Sequence, residues 1–223
     1  NGINERLHIV PLLFEHYALP YTGCNAAALF NTTDKVIAKS ILHANGLPTP
    51  PWQRIDDYTG QGCTLEFPVI VKPVAEDASA GITDEAVCYT EQQLRDTVGH
   101  IVRDSERRFF IERYIDGTEW NVSILGTDGR GIALPPAEML FVDYPPGKPR
   151  IVGYRAKWER QSAEYSHTVR NVMIEEQDFI PGRQLKNLAS RCWDIFGLNG
   201  YARADFRVDS DGNPWILEIN ANP

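Results

Sequence analysis

Long apolar runs, paired cysteines and an excess of basic residues are all missing from this chain of 223 residues. No apolar run reaches the roughly 20 residues that span a bilayer. The 4 cysteines show no C-x-x-C pairing, so we expect reduced thiols in a cytosolic protein. A net charge of -8 argues against a general nucleic-acid or membrane-surface binder. What remains is a globular chain without a nucleic-acid or membrane partner.

The most informative pattern that is present is a pair of alternating strands near the C-terminal end, joined at Asp211-Gly212. This dipeptide suits the positive φ angles of a tight hairpin turn. Side chains alternate between the two faces of a strand. If the hairpin folds symmetrically about its turn, Asp205 faces Glu218 and Arg203 faces Asn220 on one polar face.

Opposed carboxylates on one face of a hairpin repel each other, and a divalent cation removes that penalty. Oxygen ligands that are few in number suit Mg²⁺ when the ion also holds substrate phosphates. We therefore predict a Mg²⁺ (or Mn²⁺) site formed by Asp205, Glu218 and Asn220. The alternative interpretation is a solvated outer face on an edge hairpin.

Helices and strands follow one another without strict alternation, which predicts α+β lobes. A cap at Thr33-Asp34 starts a predicted helix that runs to Asn45, and further helices are predicted over 91–104 and up to Gly197. A helical face is also predicted for Leu7, Val10, Leu13, Phe14 and Tyr17. The predicted strands cover residues 67–72, 86–89, 109–114, 119–125 and 132–141.

The hairpin residues resemble the signature that closes the ATP-grasp ligases of the D-alanine–D-alanine ligase family. That signature has an R-x-D strand, here Arg203-Ala204-Asp205, and a strand ending in L-E-x-N-x-x-P, here residues 217–223. Other family segments recur in the same order: Leu19-Pro20-Tyr21-Thr22-Gly23-Cys24, Asp34-Lys35, residues 67–73 and residues 111–119. By this order of segments the chain is identified as a member of the family.

The resemblance implies an ATP-grasp fold, in which two α+β lobes clasp ATP, preceded by the remnant of an N-terminal α/β domain. On this basis residues 1–30 end the N-terminal domain, residues 31–111 form the first lobe and residues 112–223 form the second. Because relatives have more sequence on both sides, we expect the chain to be a fragment that binds nucleotide but turns over poorly.

The same resemblance assigns nucleotide-binding roles. Lys35 and Lys72 would grip the phosphates, although spacing alone favours an exposed helix lysine for Lys35 and leaves a solvent-reaching strand-end lysine open for Lys72. The loop of residues 74–81, which includes Ser79, would cover the phosphates through backbone N–H groups. The resemblance also implies roles for two carboxylates in the family's hinge segment, residues 111–119. Glu112 would lie near the adenine amino group and Glu119 on the ribose hydroxyls, although alternation alone makes Glu119 an exposed residue.

Tyr114 and Ile115 would supply the apolar and backbone contacts of adenine. The polar stretch of about residues 141–166 is longer than most structureless loops. By resemblance it is the lid that closes over ATP and the second substrate, and a merely flexible insert is the alternative. Lys157 would touch the γ-phosphate side, and Trp158 occupies the place of the family's tyrosine.

The function implied by the resemblance is ATP-dependent ligation of a carboxylate and an amine through an acylphosphate, with Arg203 stabilising the oxyanion. The substrates would be small and amino-acid-like, and a homodimer is left open. Two alternatives are another ATP-grasp chemistry and a nucleotide-binding module without turnover. The family's phosphate-loop serine falls on Ala78, with Ser79 next to it. Because Trp158 also departs from the family, we expect a substrate pair other than two D-alanines.

Overall fold

The computed structural model describes residues 4–76, 79, 81–104, 107–173 and 180–223. Its contacts divide the chain into two compact units. The first unit comprises residues 1–49, 117–139 and 170–223, and the second comprises residues 50–116 and 140–169. The predicted domain boundaries after residues 30 and 111 come from the family resemblance, and the division into two compact units does not test them. They stay a prediction.

The helices and strands are numbered here in chain order. The helices are α1 (Ile9–His16), α2 (Ala26–Thr33), α3 (Lys35–Ala44), α4 (Ile55–Gln61), α5 (Glu91–Asp104), α6 (Tyr154–Trp158), α7 (Ala163–His167) and α8 (Ile180–Phe196). The strands are β1 (Trp52–Arg54), β2 (Val69–Pro73), β3 (Val87–Cys88), β4 (Phe109–Arg113), β5 (Gly117–Thr127), β6 (Arg130–Ala133), β7 (Ala137–Phe141), β8 (Thr168–Val172), β9 (Tyr201–Asp209) and β10 (Pro214–Ala221). No helix among the described residues is long and apolar enough to cross a membrane.

The predicted helix caps are confirmed. The side chain of Asp34 accepts hydrogen bonds from the backbone N–H groups of Val36 and Ile37 and thereby satisfies the first turn of α3. Helix α8 ends at Phe196, and Gly197 follows with a φ of 58°. Glycine adopts this left-handed conformation without the steric cost of a Cβ atom.

Three predicted elements differ from the structure. The strand predicted over 132–141 is wrong, because Pro135 and Pro136 separate β6 from β7 and a proline cannot donate to a strand ladder. The strand predicted over 86–89 shortens to β3, since Asp84–Ala86 form a 3₁₀ turn. Helix α1 covers Ile9–His16, so it is shorter than the predicted face from Leu7 to Tyr17, and none of its residues is buried.

The second unit contains a four-stranded antiparallel sheet with the order β1-β4-β2-β3. Strand β2 is central, and its residues Val69, Ile70 and Val71 are all buried, as its apolar composition predicted. Apolar side chains of α4 and α5, among them Tyr58, Leu94 and Val98, share one cluster with this sheet. The sheet holds the end of β2, where Lys72 lies, in a fixed position within this unit.

The second sheet has the order β10-β9-β5-β7-β8, and β6 pairs with the outer part of β5. Its apolar face packs into the largest apolar cluster among the described residues, which contains Trp120, Phe206 and residues of α2, α3 and α8. Strand β9 lies between β5 and β10, so its alternating residues contribute Ala202, Ala204, Phe206 and Val208 to that cluster. Its remaining side chains lie on the opposite, polar face.

Candidate functional site

The polar face of the hairpin has the register that the sequence predicted. Asp205 pairs with Glu218, and Arg203 pairs with Asn220. On the other side of β9, Asn121 of β5 stands opposite Asp205, and strand pairing therefore aligns one row of polar groups across the sheet. Asn121 was missed by the sequence reasoning, although alternation from Glu119 places both on one face.

The turn itself is not the predicted two-residue turn. Strand β9 ends at Asp209, and residues 210–213 connect it to β10. The Asp209 carboxylate closes this loop by accepting hydrogen bonds from the N–H of Asn213 at 2.8 Å and from Nε1 of Trp215 at 2.9 Å. Burial alone would raise the pKa of Asp209, but these hydrogen bonds outweigh it and the pKa lies below its usual value.

A bulge explains how a different turn yields the predicted pairs. Ile216 pairs with Phe206 and Glu218 pairs with Asp205, so Leu217 is an extra residue in β10. Strict alternation along β10 would place Ile216 on the polar face with Glu218. Because the bulge exchanges the two faces between these residues, Ile216 and Ile219 are instead both buried.

Asp205 is the centre of the polar face. Arg203 donates to it from Nε at 2.6 Å and from Nη2 at 2.8 Å, a bidentate pair. The amide groups of Asn121 and Asn220 donate to the same carboxylate at 2.9 and 3.1 Å. Burial would lower the pKa of Arg203, but the charge of Asp205 outweighs it and raises the pKa above its usual value. Asp205 is only 6% exposed, which rules out a solvated outer face at this position.

Glu218 is neutralised by a different cation. Its Oε2 lies 3.2 Å from Nζ of Lys35, whose side chain is 7% exposed. Lys35 is the first residue of α3, where the helix dipole disfavours a positive charge, so the carboxylates of Asp34 and Glu218 compensate it. The interpretation of Lys35 as an exposed helix lysine is therefore wrong.

The residues predicted to bind metal have the chemistry of a Mg²⁺ site. Asp205, Glu218 and Asn220 place oxygen-bearing side chains at neighbouring register positions of one hairpin, and Mg²⁺ takes few protein oxygens alongside water and phosphate. The described residues contain no cluster of three or more His, Cys, Asp or Glu that could hold an ion by itself. Because Arg203 and Lys35 already neutralise the carboxylates, their repulsion alone does not demand a metal. The donor set fits, and the metal role stays a prediction.

Glu119 lies on the same face and contacts an arginine that the sequence reasoning missed. The residue stands opposite Arg207 across β5 and β9, with Oε2 3.5 Å from Nη2. The two side chains are 14% and 4% exposed, so the expectation of an exposed Glu119 from alternation alone is wrong. Binding of ribose hydroxyls by Glu119 stays a prediction.

In the second unit, Lys72 and Glu112 form an ion pair. Ile70 pairs with Glu112 and Lys72 pairs with Phe110, which makes Lys72 and Glu112 diagonal neighbours on one face. Nζ of Lys72 lies 2.7 Å from Oε1 of Glu112, and the side chains are 13% and 2% exposed. A lysine at the end of a buried strand needs an anion partner, and for Lys72 that partner is the carboxylate of Glu112. The solvent-reaching alternative is wrong.

Tyr114 and Ile115, predicted adenine contacts, are both buried. Tyr114 belongs to an apolar cluster with Ile70, Val87 and Ile151, all within the second unit. The backbone N–H of Tyr114 donates to the carbonyl of Pro68 at 2.9 Å. Tyr114 therefore offers apolar surface here, and its contact with adenine stays a prediction.

The predicted lid contains helical structure and is not a plain loop. Helices α6 and α7 occupy part of residues 141–166, and Lys157 and Trp158 end α6. Lys157 is partly buried, whereas Trp158 is 58% exposed. Ser79 has a φ of 61° and donates its hydroxyl to the carbonyl of Val152 at 2.6 Å, while Ala78 lies outside the described residues.

This chain is similar in sequence to several known proteins. The family model described as D-ala D-ala ligase C-terminus matches residues 41–223. A D-alanine--D-alanine ligase of Bordetella avium is 27% identical over 92% of this chain and 61% of its own length. An uncharacterised protein of Sinorhizobium fredii, y4sG, is 30% identical over 96% of this chain and 60% of its own length.

A solved structure gives the same result. The D-alanine–D-alanine ligase of Bacillus anthracis in complex with ATP aligns with a TM-score of 0.67 and 25% identity, over 96% of this chain and 63% of that one. The fold is therefore ATP-grasp, as the resemblance implied. The chain belongs to the D-ala D-ala ligase C-terminus family. It spans 61% and 62% of the length of two curated ligases that it matches.

Proposed function

We propose that this chain is the ATP-binding and catalytic part of an ADP-forming ligase that joins a carboxylate to an amine. The observation that carries the proposal is the β9–β10 hairpin, whose register aligns Asp205 with Glu218 and Arg203 with Asn220. Family membership over residues 41–223 supports the same chemistry. Relatives that are named D-alanine--D-alanine ligases support the same class of reaction.

Asp205, Glu218 and Asn220 would hold Mg²⁺ or Mn²⁺, which when bound neutralises phosphate charge and polarises the γ-phosphoryl group. Arg203 and Lys35 now neutralise these carboxylates and would remain beside them as phosphate or substrate donors. An ammonium carries three donors, so Lys35 can hold Glu218 and still donate to a phosphate oxygen.

In the second unit Lys72 would bind phosphate in the same way while it keeps its bond to Glu112. The apolar cluster around Tyr114, with Ile115 next to it, would supply the adenine surface. Glu119 in the first unit would accept hydrogen bonds from the ribose hydroxyls. Lys157, at the end of α6, would donate to the γ-phosphate.

The proposed reaction has two chemical steps. An oxygen of the acid substrate attacks the γ-phosphorus, ADP leaves and an acylphosphate forms. The amine then attacks the acyl carbon, loses a proton and expels inorganic phosphate, which keeps the attacking carboxylate oxygen. Nε and Nη2 of Arg203 bind Asp205, so its Nη1 is the group proposed to stabilise the tetrahedral oxyanion. Trp158 would line the substrate side, and a closed lid would protect the acylphosphate from water.

We further propose that the substrates are not simply two D-alanines. The Ser79 hydroxyl, which would have to replace the serine missing at Ala78, already donates to Val152. The indole of Trp158 can donate a hydrogen bond but cannot accept one, unlike a tyrosine hydroxyl. A polar site that leaves one group unpaired discriminates against the original ligand by about 1–3 kcal/mol. Trp158 also adds apolar area that favours a larger or less polar substrate.

An ADP-release screen of the full-length protein, with D-alanine beside other amino acids and hydroxy acids, tests both proposals. We expect ADP release that requires an acid and an amine, with D-alanine about tenfold or more below the best substrate in kcat/KM. D-alanine as the best substrate in both positions would refute the altered specificity alone. Lack of ADP release with every pair would instead favour a nucleotide-binding module without turnover.

A further inference from the structure

Lys148 joins two carboxylates that are far apart in the sequence. Its Nζ lies 2.7 Å from Oδ2 of Asp84 and 2.7 Å from Oε1 of Glu164. The side chains of Lys148 and Glu164 are 18% and 11% exposed, so the pair that they form is not an ordinary surface pair, whereas the Asp84 side chain is 42% exposed. Burial would lower the pKa of Lys148, but the hydrogen bonds to Asp84 and Glu164 outweigh it and raise that pKa. All three residues belong to the second unit.

The Asp84 side of this contact is fixed to the first sheet. Asp84 begins the 3₁₀ turn that leads directly into β3. Strand β3 pairs with β2, where Val69 stands opposite Cys88. Strand β2 also carries Lys72, the proposed phosphate ligand. The position of Asp84 is therefore set by the strand that presents Lys72.

The Glu164 side is fixed to the lid helices. Ser162 caps α7 by accepting from the N–H of Tyr165 at 3.1 Å, and its hydroxyl donates to the carbonyl of Arg155 in α6 at 3.0 Å. The Arg155 guanidinium lies 3.2 Å from the same Glu164 Oε1 that binds Lys148. Helix α6, which ends with Lys157 and Trp158, is thus attached to Glu164 through its own residues.

Two further bonds hold the same segments side by side. The Ser79 hydroxyl donates to Val152, and the N–H of Tyr154 donates to the carbonyl of Ile82 at 3.1 Å. Gly153 permits this approach, because a Cβ atom at that position would lie 2.9 Å from the Ile82 oxygen. Residues 140–169 accordingly group with residues 50–116 in one compact unit.

We propose that Lys148 is a positioning residue that holds helices α6 and α7 against Ser79 and residues 81–84, and so sets where Lys157 and Trp158 stand relative to Lys72. The position of helix α7 depends on Lys148 because of the contacts that Glu164 makes. Its Oε2 is buried and has no hydrogen-bond partner among the described residues, so the contacts of Glu164 converge on Oε1. Without Lys148, the cation left beside this carboxylate in the described part of the chain would be Arg155, whose side chain is 56% exposed. Helix α7 would then move toward water, because a buried charge without sufficient partners is costly.

Limited trypsin digestion of the whole chain without nucleotide tests the attachment, because Arg155, Lys157 and Arg160 are cleavage sites in and beside α6. We expect Lys148→Met to be cut there about tenfold faster than the parent, as loss of charge-assisted hydrogen bonds shifts a local equilibrium by this order. Lys148→Arg should restore slow cleavage. Arg95→Met removes one positive charge and one cleavage site from α5, where that side chain is 68% exposed, and should leave the rate of cleavage at Arg155, Lys157 and Arg160 unchanged.

A second measurement, of Mg·ATP binding, tests the effect of Lys148 on the proposed nucleotide site and rests on the proposed function. Lys148→Met should weaken Mg·ATP binding about tenfold by calorimetry, because part of the binding free energy is then used to order the lid. Asp84→Asn, which leaves the buried Glu164 pair in place, serves as a milder variant and should move both measurements in the same direction.

The outcomes separate the two proposals. Unchanged lid cleavage in Lys148→Met and in Asp84→Asn would overturn the positioning role. Equally faster cleavage at Lys186, which lies in α8 of the first unit, would also overturn it, because the change would then be a general loss of stability. A parent chain that does not bind Mg·ATP would contradict the proposed function, whereas faster lid cleavage would still support the attachment.

Discussion

Asp205→Asn combined with Glu218→Gln is expected to weaken Mg·ATP binding about 100-fold or more while the fold survives. The variant keeps the shape of both side chains and removes the two negative charges that face each other across the hairpin. Neutral amide oxygens bind Mg²⁺ poorly compared with carboxylates, so the ion would lose its main protein ligands. Isothermal titration of Mg·ATP into parent and variant measures the effect.

Stability needs a control in this experiment, because Arg203 and Lys35 would lose their anionic partners. The introduced amides can still accept hydrogen bonds from both cations. Asp211→Asn removes one negative charge from the turn of the same hairpin and should leave Mg·ATP binding unchanged. If the double variant is folded by circular dichroism and binds Mg·ATP as tightly as the parent, the metal assignment is wrong.

Lys72→Met is expected to lower the free energy of unfolding by about 3 kcal/mol and to weaken Mg·ATP binding. The loss of stability arises because Glu112, whose side chain is 2% exposed, would keep its charge without the ammonium 2.7 Å away. Removal of one partner of a buried ion pair costs more than removal of both. Urea denaturation at neutral pH measures the first effect and calorimetry the second.

A second variant separates structure from function at this position. Lys72→Met combined with Glu112→Leu removes both charges and should recover most of the lost stability. Its Mg·ATP affinity should remain low, since the proposed phosphate donor is still missing. Parent-like stability of Lys72→Met alone would contradict the structural role of the pair, and parent-like affinity would contradict the phosphate role.

The hairpin shows what sequence alone can and cannot predict. The pairing of Asp205 with Glu218 was predicted from a symmetric turn at Asp211-Gly212, and the pairing is confirmed although the turn is not. The longer connection shifts the register, and the bulge at Leu217 shifts it back. Alternation of residue types cannot reveal a bulge, because Leu217 and Ile216 are both apolar and either could face the core.

Burial of charged groups was the second gap. Spacing predicted an exposed Lys35, because a lysine at the start of a helix is usually solvated. Its partner Glu218 lies on a strand near the other end of the chain, and nothing local indicates that contact. The contacts of Lys148 with Asp84 and Glu164 could not be predicted from the local sequence either. By contrast, the break at Pro135-Pro136 was readable from the missing proline N–H, and the prediction of one strand overlooked it.

Transfer of oxygen from substrate to phosphate tests the central claim most directly. The acid substrate that the ADP-release screen selects would be labelled with oxygen-18 in its carboxylate and incubated with the full-length protein, ATP and the amine. Ligation through an acylphosphate predicts that the inorganic phosphate carries the label, because the attacking carboxylate oxygen leaves with phosphorus. Unlabelled phosphate, or label found in AMP, would contradict the proposed mechanism.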